Sequence, residues 1–316
     1  MSIRLLANAK INPTLRVLGR RADGFHELAT TMLALDHGDL VSVSMTDAAG
    51  ASAVVRGEFA TPDVPTDGSN LAVRGAQLGV DAAGEAAGDR GRFTVDLEKR
   101  VPSRAGLGGG SADAAAAARA MVAELGGEDG CLDGRLAELG SDCAFFHGAR
   151  RTGAALALGR GEEIIPLEAP ADWWVALLTP EVECSTPAVY AALDAGPAPP
   201  TAVGRLEATA AARELFRLPA LEARAALVND LEAPARRAQP GLEPWFELLA
   251  REGAAHFRLA GSGSSFFGLF DGEAAAAEAL ERLESGAAAG GLGVRFSVVA
   301  RPAGAALTAV EGGARG

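Results

Sequence analysis

Short apolar runs separated by Gly and Asp occupy residues 2–60 of the chain. Residues 15–18 and 40–43 are two such runs, rich in Leu and Val. Runs of this length that end at turn-forming residues are typical of β-strands. Residues 93–97 alternate between apolar and polar side chains, which is the period of a strand with one buried face. The pattern therefore predicts that the chain opens with a β-sheet.

Longer segments with helical character accompany these strands. Residues 71–83 are one such segment. Residues 111–125, which are rich in Ala, Met and Leu and contain no Pro or Gly, predict a second helix that begins where a run of glycines stops. We expect another helix to end near Gly140. Residues 274–283 look low in complexity, but the Glu residues in and beside them give one polar face, which predicts a surface helix.

The second half of the chain alternates apolar runs with Ala-rich segments. Its strand-like runs are residues 174–178, 256–259, 266–270 and 294–299. This mixture of strands and helices indicates an α+β fold. A chain of 316 residues is long enough for two domains, and we place the boundary near residue 165. The prediction is a pair of domains, 1–165 and 166–316, with a substrate cleft between them.

The balance of charge argues against one class of partner. The chain has a formal net charge of −12, whereas proteins that bind DNA or RNA present clustered Lys and Arg to the phosphate backbone. We therefore expect no nucleic acid partner. A nucleotide ligand stays compatible with the acidic composition, because backbone N–H groups and a few cations can hold one small polyphosphate.

Apolar run lengths and cysteine spacing indicate the compartment. No apolar run approaches the roughly 18 residues that cross a bilayer, and the N-terminal apolar stretch is too short for a signal peptide. Cys131, Cys143 and Cys184 match neither a disulfide framework nor a zinc site in their spacing. We expect a cytoplasmic protein with reduced thiols and no membrane partner.

A glycine-rich segment between the strand at 93–97 and the helix at 111–125 carries the strongest chemical signal. It has the sequence P-S-R-A-G-L-G-G-G-S-A-D over residues 102–113, with four glycines among residues 106–110. Because these glycines lack side chains, their N–H groups can converge on phosphate oxygens. Free N–H groups at the start of the following helix add to the same anion site. A flexible Gly-rich connection is the alternative interpretation.

Other phosphate-binding and catalytic patterns do not fit the sequence. A Walker A loop needs Lys after Gly, but the two lysines of the chain, Lys10 and Lys99, follow Ala and Glu. In the dinucleotide pattern GxGxxG, the third glycine position falls on Ser111. The sequence also lacks the HRD and DFG motifs of protein kinases, the GxSxG elbow of hydrolases and the HExxH metal motif.

Four motifs resemble those of a known family, and they occur in the same order. The segment P-x-x-x-G-L-G-G-G-S-A-D-A-A is similar to the second motif of GHMP kinases, which wraps the ATP triphosphate. This version resembles that of the diphosphocytidyl-methylerythritol kinases. Three further segments resemble the same family: A-K-I-N at 9–12 with D-G-F-H-E-L at 23–28, L-G-S-D at 139–142, and A-G-S-G-S-S at 260–265.

The resemblance implies the α+β, two-domain GHMP kinase fold. Its N-terminal domain would be like domain 2 of ribosomal protein S5, and its C-terminal domain would be ferredoxin-like. The implied cofactors are ATP and Mg²⁺, with the ion bridging the phosphates, although no protein ligand of the ion can be assigned. The residues that the resemblance places against ATP are Pro102, Ser103, Arg104, Ala105, Gly106, Leu107, Gly108, Gly109, Gly110, Ser111 and Ala112.

The resemblance also implies that Lys10 and Asp142 are catalytic. Asp142 would accept the proton of the acceptor hydroxyl as its oxygen attacks the γ-phosphorus. Lys10 would orient that carboxylate and stabilise charge beside the hydroxyl. Taken without the family, Asp142 resembles a helix cap and Lys10 a surface lysine, so both roles rest on the resemblance.

An acceptor pocket follows from the same comparison with the family. Asn12, Phe25, His26 and Tyr190 would line it, with aromatic rings against a cytosine. Core packing is the alternative for Tyr190. The family usually has Tyr where this chain has Phe25, so stacking on the ring is retained while any contact through a hydroxyl is lost.

Two further segments receive supporting roles. Gly261, Ser262, Gly263 and Ser264 resemble the third GHMP motif, a tight turn that supports the glycine loop; an ordinary Gly-Ser hairpin is the alternative. The sequence N-D-L-E at 229–232 also matches the family, but it fits a common helix-capping pattern, so we assign it a structural role.

The resemblance implies transfer of the ATP γ-phosphate to the 2-hydroxyl of 4-diphosphocytidyl-2-C-methyl-D-erythritol, a step of isoprenoid precursor synthesis by the non-mevalonate route. One alternative is another GHMP kinase that acts on homoserine, a mevalonate derivative or a sugar. The pairing of A-K-I-N with G-F-H-E-L argues against it. A catalytically silent nucleotide-binding relative is the other alternative, and the presence of Lys10 and Asp142 argues against that one. We expect a small-molecule substrate and a monomer or homodimer.

Overall fold

The computed structural model describes residues 3–47, 50–84, 92–197 and 204–310. Its strands are β1 (Arg4–Arg20), β2 (His26–Met45), β3 (Ala51–Arg56), β4 (Phe93–Glu98), β5 (Gly153–Gly159), β6 (Glu163–Glu168), β7 (Trp174–Pro180), β8 (Val228–Asn229), β9 (Arg258–Leu259), β10 (Phe266–Phe270), β11 (Val294–Ala300) and β12 (Leu307–Val310). Its helices are α1 (Leu71–Ala83), α2 (Gly109–Glu124), α3 (Ser141–Gly148), α4 (Thr186–Asp194), α5 (Arg205–Leu215), α6 (Ala220–Ala223), α7 (Glu232–Ala238), α8 (Glu243–Arg251) and α9 (Glu273–Ala289).

The first sheet is built around the long antiparallel pair β1 and β2. In the described ranges it has eight strands in the order β12-β1-β2-β4-β3, with β5 and β6 extending from β2 and β8 lying beside β1. The register between β1 and β2 shifts three times, between Val17 and Gly19, between Ile11 and Thr14, and between Asn8 and Lys10. Such irregularities bend a strand and re-aim its side chains, and the two within residues 8–14 lie beside a cluster of buried polar residues.

Small residues explain how α1 and α2 cover this sheet. Residues 114–118 of α2 are all alanines and all are buried. On α1, a Cβ added at Gly75 would lie 2.1 Å from the carbonyl oxygen of Ala114. The abundance of Ala and Gly in the sequence therefore permits a close approach of the two helices, since interhelical distance depends on side-chain size.

The second sheet belongs to the C-terminal half and has the order β11-β7-β10-β9. Helix α9 contributes buried Ala276, Leu280 and Leu283 to the apolar cluster beside this sheet, while the polar face of the helix is exposed. The predicted surface helix is thus confirmed. A second cluster joins the two sheets, because it contains Ile11 of β1 as well as Leu177 of β7.

Two boundaries differ from the sequence prediction. Helix α2 begins at Gly109 rather than Ser111, because Gly108 adopts a left-handed φ of 71° and the helix starts directly after it. The predicted helix ending near Gly140 is wrong. Two short 3-10 helices stand there, at Asp129–Leu132 and Leu136–Glu138, separated by Gly134 with a left-handed φ of 76°.

The end of the described chain returns to the first sheet, where β12 pairs antiparallel with β1. Strand β6 of that sheet spans the predicted boundary at residue 165. The division into 1–165 and 166–316 stays a prediction. None of the helices in the described ranges combines the length and apolarity needed to cross a bilayer.

Candidate active site

A cleft of about 980 Å³ opens between the first sheet, the glycine loop and α4. It brings together residues that are far apart in the sequence. Of the predicted site residues, those lining the cleft are Lys10, Asn12, Phe25, His26, Pro102, Ser103, Arg104, Ala105, Gly106, Leu107, Gly108, Gly109, Gly110, Ser111, Asp142, Tyr190, Gly261 and Ser262. Ala112, Gly263 and Ser264 do not line it.

The glycine loop uses left-handed backbone at alternating positions. Arg104, Gly106 and Gly108 have φ values of 57°, 79° and 71°. Glycine is required at 106 for a second reason, because a Cβ there would lie 2.1 Å from the carbonyl oxygen of Ala260. The loop is therefore a shaped turn held against the segment at 260–265, and the flexible connection considered from the sequence does not describe it.

Free N–H groups at the start of α2 face the cleft. The first backbone hydrogen bond of the helix runs from Ala112 N–H to Gly108 O, 2.9 Å long. The N–H groups of Gly109, Gly110 and Ser111 consequently have no partner within the helix, and they lie at the positive end of its dipole. The same bond explains why Ala112 does not line the cleft, since its N–H is used and its side chain is buried.

Lys10 and Asp142 meet beside this helix start. Lys10 lies at the bulge of β1 and donates from Nζ to Asn12 Oδ1 over 2.8 Å, while Asp142 Oδ2 is 3.4 Å from the same nitrogen. The Lys10 side chain is 5% exposed and that of Asp142 is 39% exposed. Asp142, in the first turn of α3, can thus face a ligand in the cleft while the buried ammonium holds it from behind.

The turn at 260–265 lies against both the glycine loop and Lys10. Ser265 N–H donates to Ala105 O over 3.1 Å. A Cβ at Gly261 would lie 3.3 Å from Lys10 Nζ. Asn229 crosses from β8 and donates to Gly261 O over 2.7 Å, which holds the turn in place. Gly263 and Ser264 lie behind this contact, outside the cleft lining.

The opposite end of the cleft is aromatic. The His26 and Tyr190 rings have centroids 5.1 Å apart, and His26 Nε2 is 2.8 Å from Asp194 Oδ1 on the same helix as Tyr190. Burial raises the pKa of Tyr190 to about 12, and the charge of Asp142 adds to the shift. Phe25, 54% exposed, stands at the mouth with Arg160 over its ring.

Comparison with known proteins agrees with this geometry. Residues 70–158 match the profile of the GHMP kinase N-terminal domain, and residues 209–289 match that of the GHMP kinase C-terminal domain. The chain is 38% identical, over 89% of its length and 90% of the relative, to the 4-diphosphocytidyl-2-C-methyl-D-erythritol kinase of Heliobacterium modesticaldum. This chain belongs to that kinase family.

Two solved structures refine the comparison. A crystal structure of 4-(cytidine 5'-diphospho)-2C-methyl-D-erythritol kinase is 32% identical with a TM-score of 0.68, covering 95% of this chain and 100% of its own. A homoserine kinase from Cytophaga hutchinsonii has a slightly higher TM-score of 0.71, covering 98% and 97% of the two chains, but it is 18% identical and shows the fold alone. The predicted α+β GHMP kinase fold is confirmed, and membership of a 4-diphosphocytidyl-2-C-methyl-D-erythritol kinase family implies use of ATP.

A buried charge cluster beneath the glycine loop was not among the predicted site residues of this kinase. Lys99 Nζ lies 2.8 Å from Asp113 Oδ2 and also contacts Asp39, and all three side chains are buried. Asp39 Oδ1 accepts from Val101 N–H over 2.9 Å. Burial raises the pKa of Asp113, the Lys99 charge opposes that shift and the Asp39 charge adds to it. The cluster ties β2, the start of the loop and α2 together.

A signal for this cluster did exist in the sequence. Lys99 is one of two lysines among 29 basic residues, and the rarity that draws attention to Lys10 applies to it equally. Asp194, the partner of His26, had no comparable signal because it lies 168 residues away in the chain.

Proposed function

We propose that this protein transfers the γ-phosphate of ATP to the 2-hydroxyl of 4-diphosphocytidyl-2-C-methyl-D-erythritol. The observation that carries the proposal is the position of the Lys10–Asp142 pair, which lies between the free N–H groups of α2 and the aromatic end of the cleft. The 38% identical relative and the 32% identical structure are both named as kinases of this acceptor.

ATP would lie along the glycine loop. The N–H groups of Gly109, Gly110 and Ser111 would face its phosphates at the start of α2, where the helix dipole favours negative charge. The cleft continues past the loop to Pro65, Leu71 and other side chains with apolar surface, which provide a place for the base. This orientation puts the terminal phosphate on the side of Lys10.

Magnesium would enter with ATP as part of the substrate complex. Across the described ranges no three His, Cys, Asp or Glu side chains form a group that could hold a metal ion. The side chains described therefore do not build a metal centre of their own, and we assign no residue as a ligand of the ion.

The acceptor would lie at the other end, with its cytosine near Tyr190, His26 and Phe25. Its hydroxyl would then approach Asp142, whose exposed carboxylate can take the proton as the oxygen attacks the γ-phosphorus. Lys10 fixes the carboxylate and supplies a compact positive charge beside the transferring phosphoryl group. Phosphoryl transfer depends mainly on such positioning and charge stabilisation.

Asp142→Asn tests this assignment, because it preserves shape and removes the base. We expect turnover to fall by about 10²- to 10⁴-fold, the range for loss of a general base, while ATP binding measured by calorimetry stays nearly unchanged. Asp81→Asn, an exposed carboxylate on α1 outside the cleft lining, is the matched control. Full activity in Asp142→Asn would remove Asp142 from the mechanism.

A further inference from the structure

We propose that Arg160 binds the diphosphate of the acceptor and thereby selects for a charged acceptor. The inference rests on the proposed function and adds a residue that the sequence motifs did not indicate. It starts from the turn between β5 and β6, which brings Arg160 to the mouth of the cleft.

The backbone of this turn presents the Arg160 side chain to the cleft. Gly159 and Gly161 on either side of it have left-handed φ values of 72° and 105°. A Cβ at Gly161 would lie 3.2 Å from Ser141 Cβ, so the turn packs against the start of α3 next to Asp142. Arg160 N–H donates to Glu162 Oε2 over 2.5 Å, which closes the turn. The turn thus fixes Arg160 near the catalytic end.

The Arg160 guanidinium is held in place on one side. Its carbon lies 4.9 Å from the centroid of the Phe25 ring, and its Nε lies 3.5 Å from Glu162 Oε1. Arginine stacks readily on aromatic faces. The terminal nitrogens of the guanidinium stay available as donors, and the side chain is 39% exposed. Arg160 therefore combines a fixed position, with Nε facing Glu162, with terminal nitrogens that can donate to a ligand.

The other cations of the cleft are either buried between partners or lie on the glycine loop, the side proposed for ATP. In the described part of the chain, the Lys and Arg side chains that line it are Lys10, Lys99, Arg104 and Arg160. Lys10 is 5% exposed and faces Asp142, and Lys99 is 3% exposed between two carboxylates. Arg104 lies on the glycine loop and pairs with Glu183 at 3.6 Å. Arg160 is thus the cation on the acceptor side that can neutralise a diphosphate.

This position also accounts for Phe25 as the residue at the mouth. A face of the Phe25 ring is occupied by Arg160, and the ring is otherwise half exposed. In the acceptor, the diphosphate comes after the cytosine and its ribose. A guanidinium beside the ring that would stack on the cytosine is therefore placed to reach the diphosphate. A planar guanidinium with several donors suits phosphate oxygens better than a lysine does.

Binding of cytidine diphosphate and cytidine to ADP-saturated protein tests the proposal. We expect Arg160→Gln to weaken the binding of cytidine diphosphate by about tenfold or more, because a charge-assisted hydrogen bond is lost. The affinity for cytidine should stay unchanged. Arg160→Met, which keeps contact with Phe25 but has no charge, should behave like Arg160→Gln, and Arg160→Lys should retain part of the affinity. Arg151→Gln, an exposed arginine away from the cleft lining, is the charge-matched control.

Different failures have different meanings in this experiment. Unchanged cytidine diphosphate affinity in Arg160→Gln would overturn the Arg160 assignment while leaving the proposed function intact. Equal losses for cytidine diphosphate and cytidine would show that Arg160 acts by holding Phe25, which also overturns the diphosphate contact. A wild-type protein that binds neither ligand would instead contradict the cytidylyl acceptor itself.

Discussion

Lys10 and Lys99 occupy buried positions in a protein whose other basic residues are all arginines. Each ammonium sits between oxygen atoms of two side chains, a space suited to a compact charge and not to a planar guanidinium. Both lysines line the cleft, Lys10 beside Asp142 and Lys99 beneath the loop that would hold the phosphates. The two lysines therefore support the site from different layers.

Lys99→Met should destabilise the protein strongly. Removing the ammonium leaves the Asp39 and Asp113 carboxylates buried without their shared partner, a change that typically costs about 3–5 kcal/mol. We expect a large drop in the urea midpoint of unfolding. Arg213→Met, an exposed position on α5, is the control. An unchanged midpoint for Lys99→Met would mean that the cluster contributes little to the fold.

Phe25→Tyr should have a small effect, and Phe25→Leu a large one. The Phe25 ring is 54% exposed with a face under Arg160, so an added hydroxyl meets water while loss of the ring removes the stacking surface. We expect the acceptor KM to rise by about tenfold in Phe25→Leu, in line with loss of a base-stacking contact, and to change little in Phe25→Tyr. A strong fall of the acceptor KM in Phe25→Tyr would contradict this, because it would show that the acceptor site of this chain lacks a hydroxyl contact.

His256 makes stability depend on pH. Burial lowers the pKa of His256 to about 4, and the charges of Arg224 and Arg258 add to the shift. The unfolded chain then takes up a proton near pH 6.5 and the folded protein does not, so stability is lost as the pH falls from about 6.5 to 4. His256→Gln should reduce the difference in the free energy of unfolding between pH 7 and pH 5 by about 1–2 kcal/mol, a figure lowered for the partial exposure of the ring. Urea unfolding at pH 7 and pH 5 measures it, and an equal pH dependence in both proteins would contradict it.

At the level of elements, the glycines of the glycine loop have two separable functions. A Cβ at Gly110 meets no atom within 4 Å, whereas at Gly106 it would clash with Ala260 O. Gly110→Ala should therefore preserve stability, because Ala favours a helix over Gly by about 1 kcal/mol, yet raise the KM for ATP by about tenfold through blocking the phosphates.

Gly106→Ala should act first on stability, the property that Gly110→Ala preserves. Its left-handed φ of 79° alone costs an alanine about 1–2 kcal/mol, and the clash with the turn adds to this, so the unfolding midpoint should fall. Thermal unfolding and ATP binding, measured for both variants, distinguish the two functions: Gly110 leaves space for the phosphates, and Gly106 lets the loop pack against the turn at 260–265. Equal stability of the two variants would contradict the packing described here.

The elements also show where sequence reasoning succeeds and fails. Helix α1 follows from the helical character of residues 71–83 and strand β4 from the alternation at residues 93–97, and both are found where the sequence predicts them. Helix α2 starts two residues early because Gly109 and Gly110 can adopt helical backbone once Gly108 has made the left-handed turn. The helix predicted before Gly140 is interrupted at Gly134, whose left-handed φ of 76° does not continue a helix and cannot be read from the local sequence.

At the scale of the whole molecule, long-range pairing is the part that the sequence could not supply. The return of β12 to β1 and the contact of Asn229 with Gly261 join segments that no local pattern relates. The four motifs predicted which residues belong to the site because the family resemblance supplied their shared role. The partners Asp194, Arg160 and Asp39 lie outside those motifs and appear only when the chain is folded.

The whole-molecule claim is that one cleft holds ATP at the glycine loop and a cytidylyl acceptor at the aromatic end. The most direct test measures ADP release by the purified protein with ATP and Mg²⁺ across four acceptors: 4-diphosphocytidyl-2-C-methyl-D-erythritol, homoserine, mevalonate and galactose. We predict turnover with the cytidylyl acceptor and background release with the other three. Phosphorylation of homoserine, mevalonate or galactose in its place would contradict the account of the acceptor pocket, and release with none of the four would contradict the proposed catalysis.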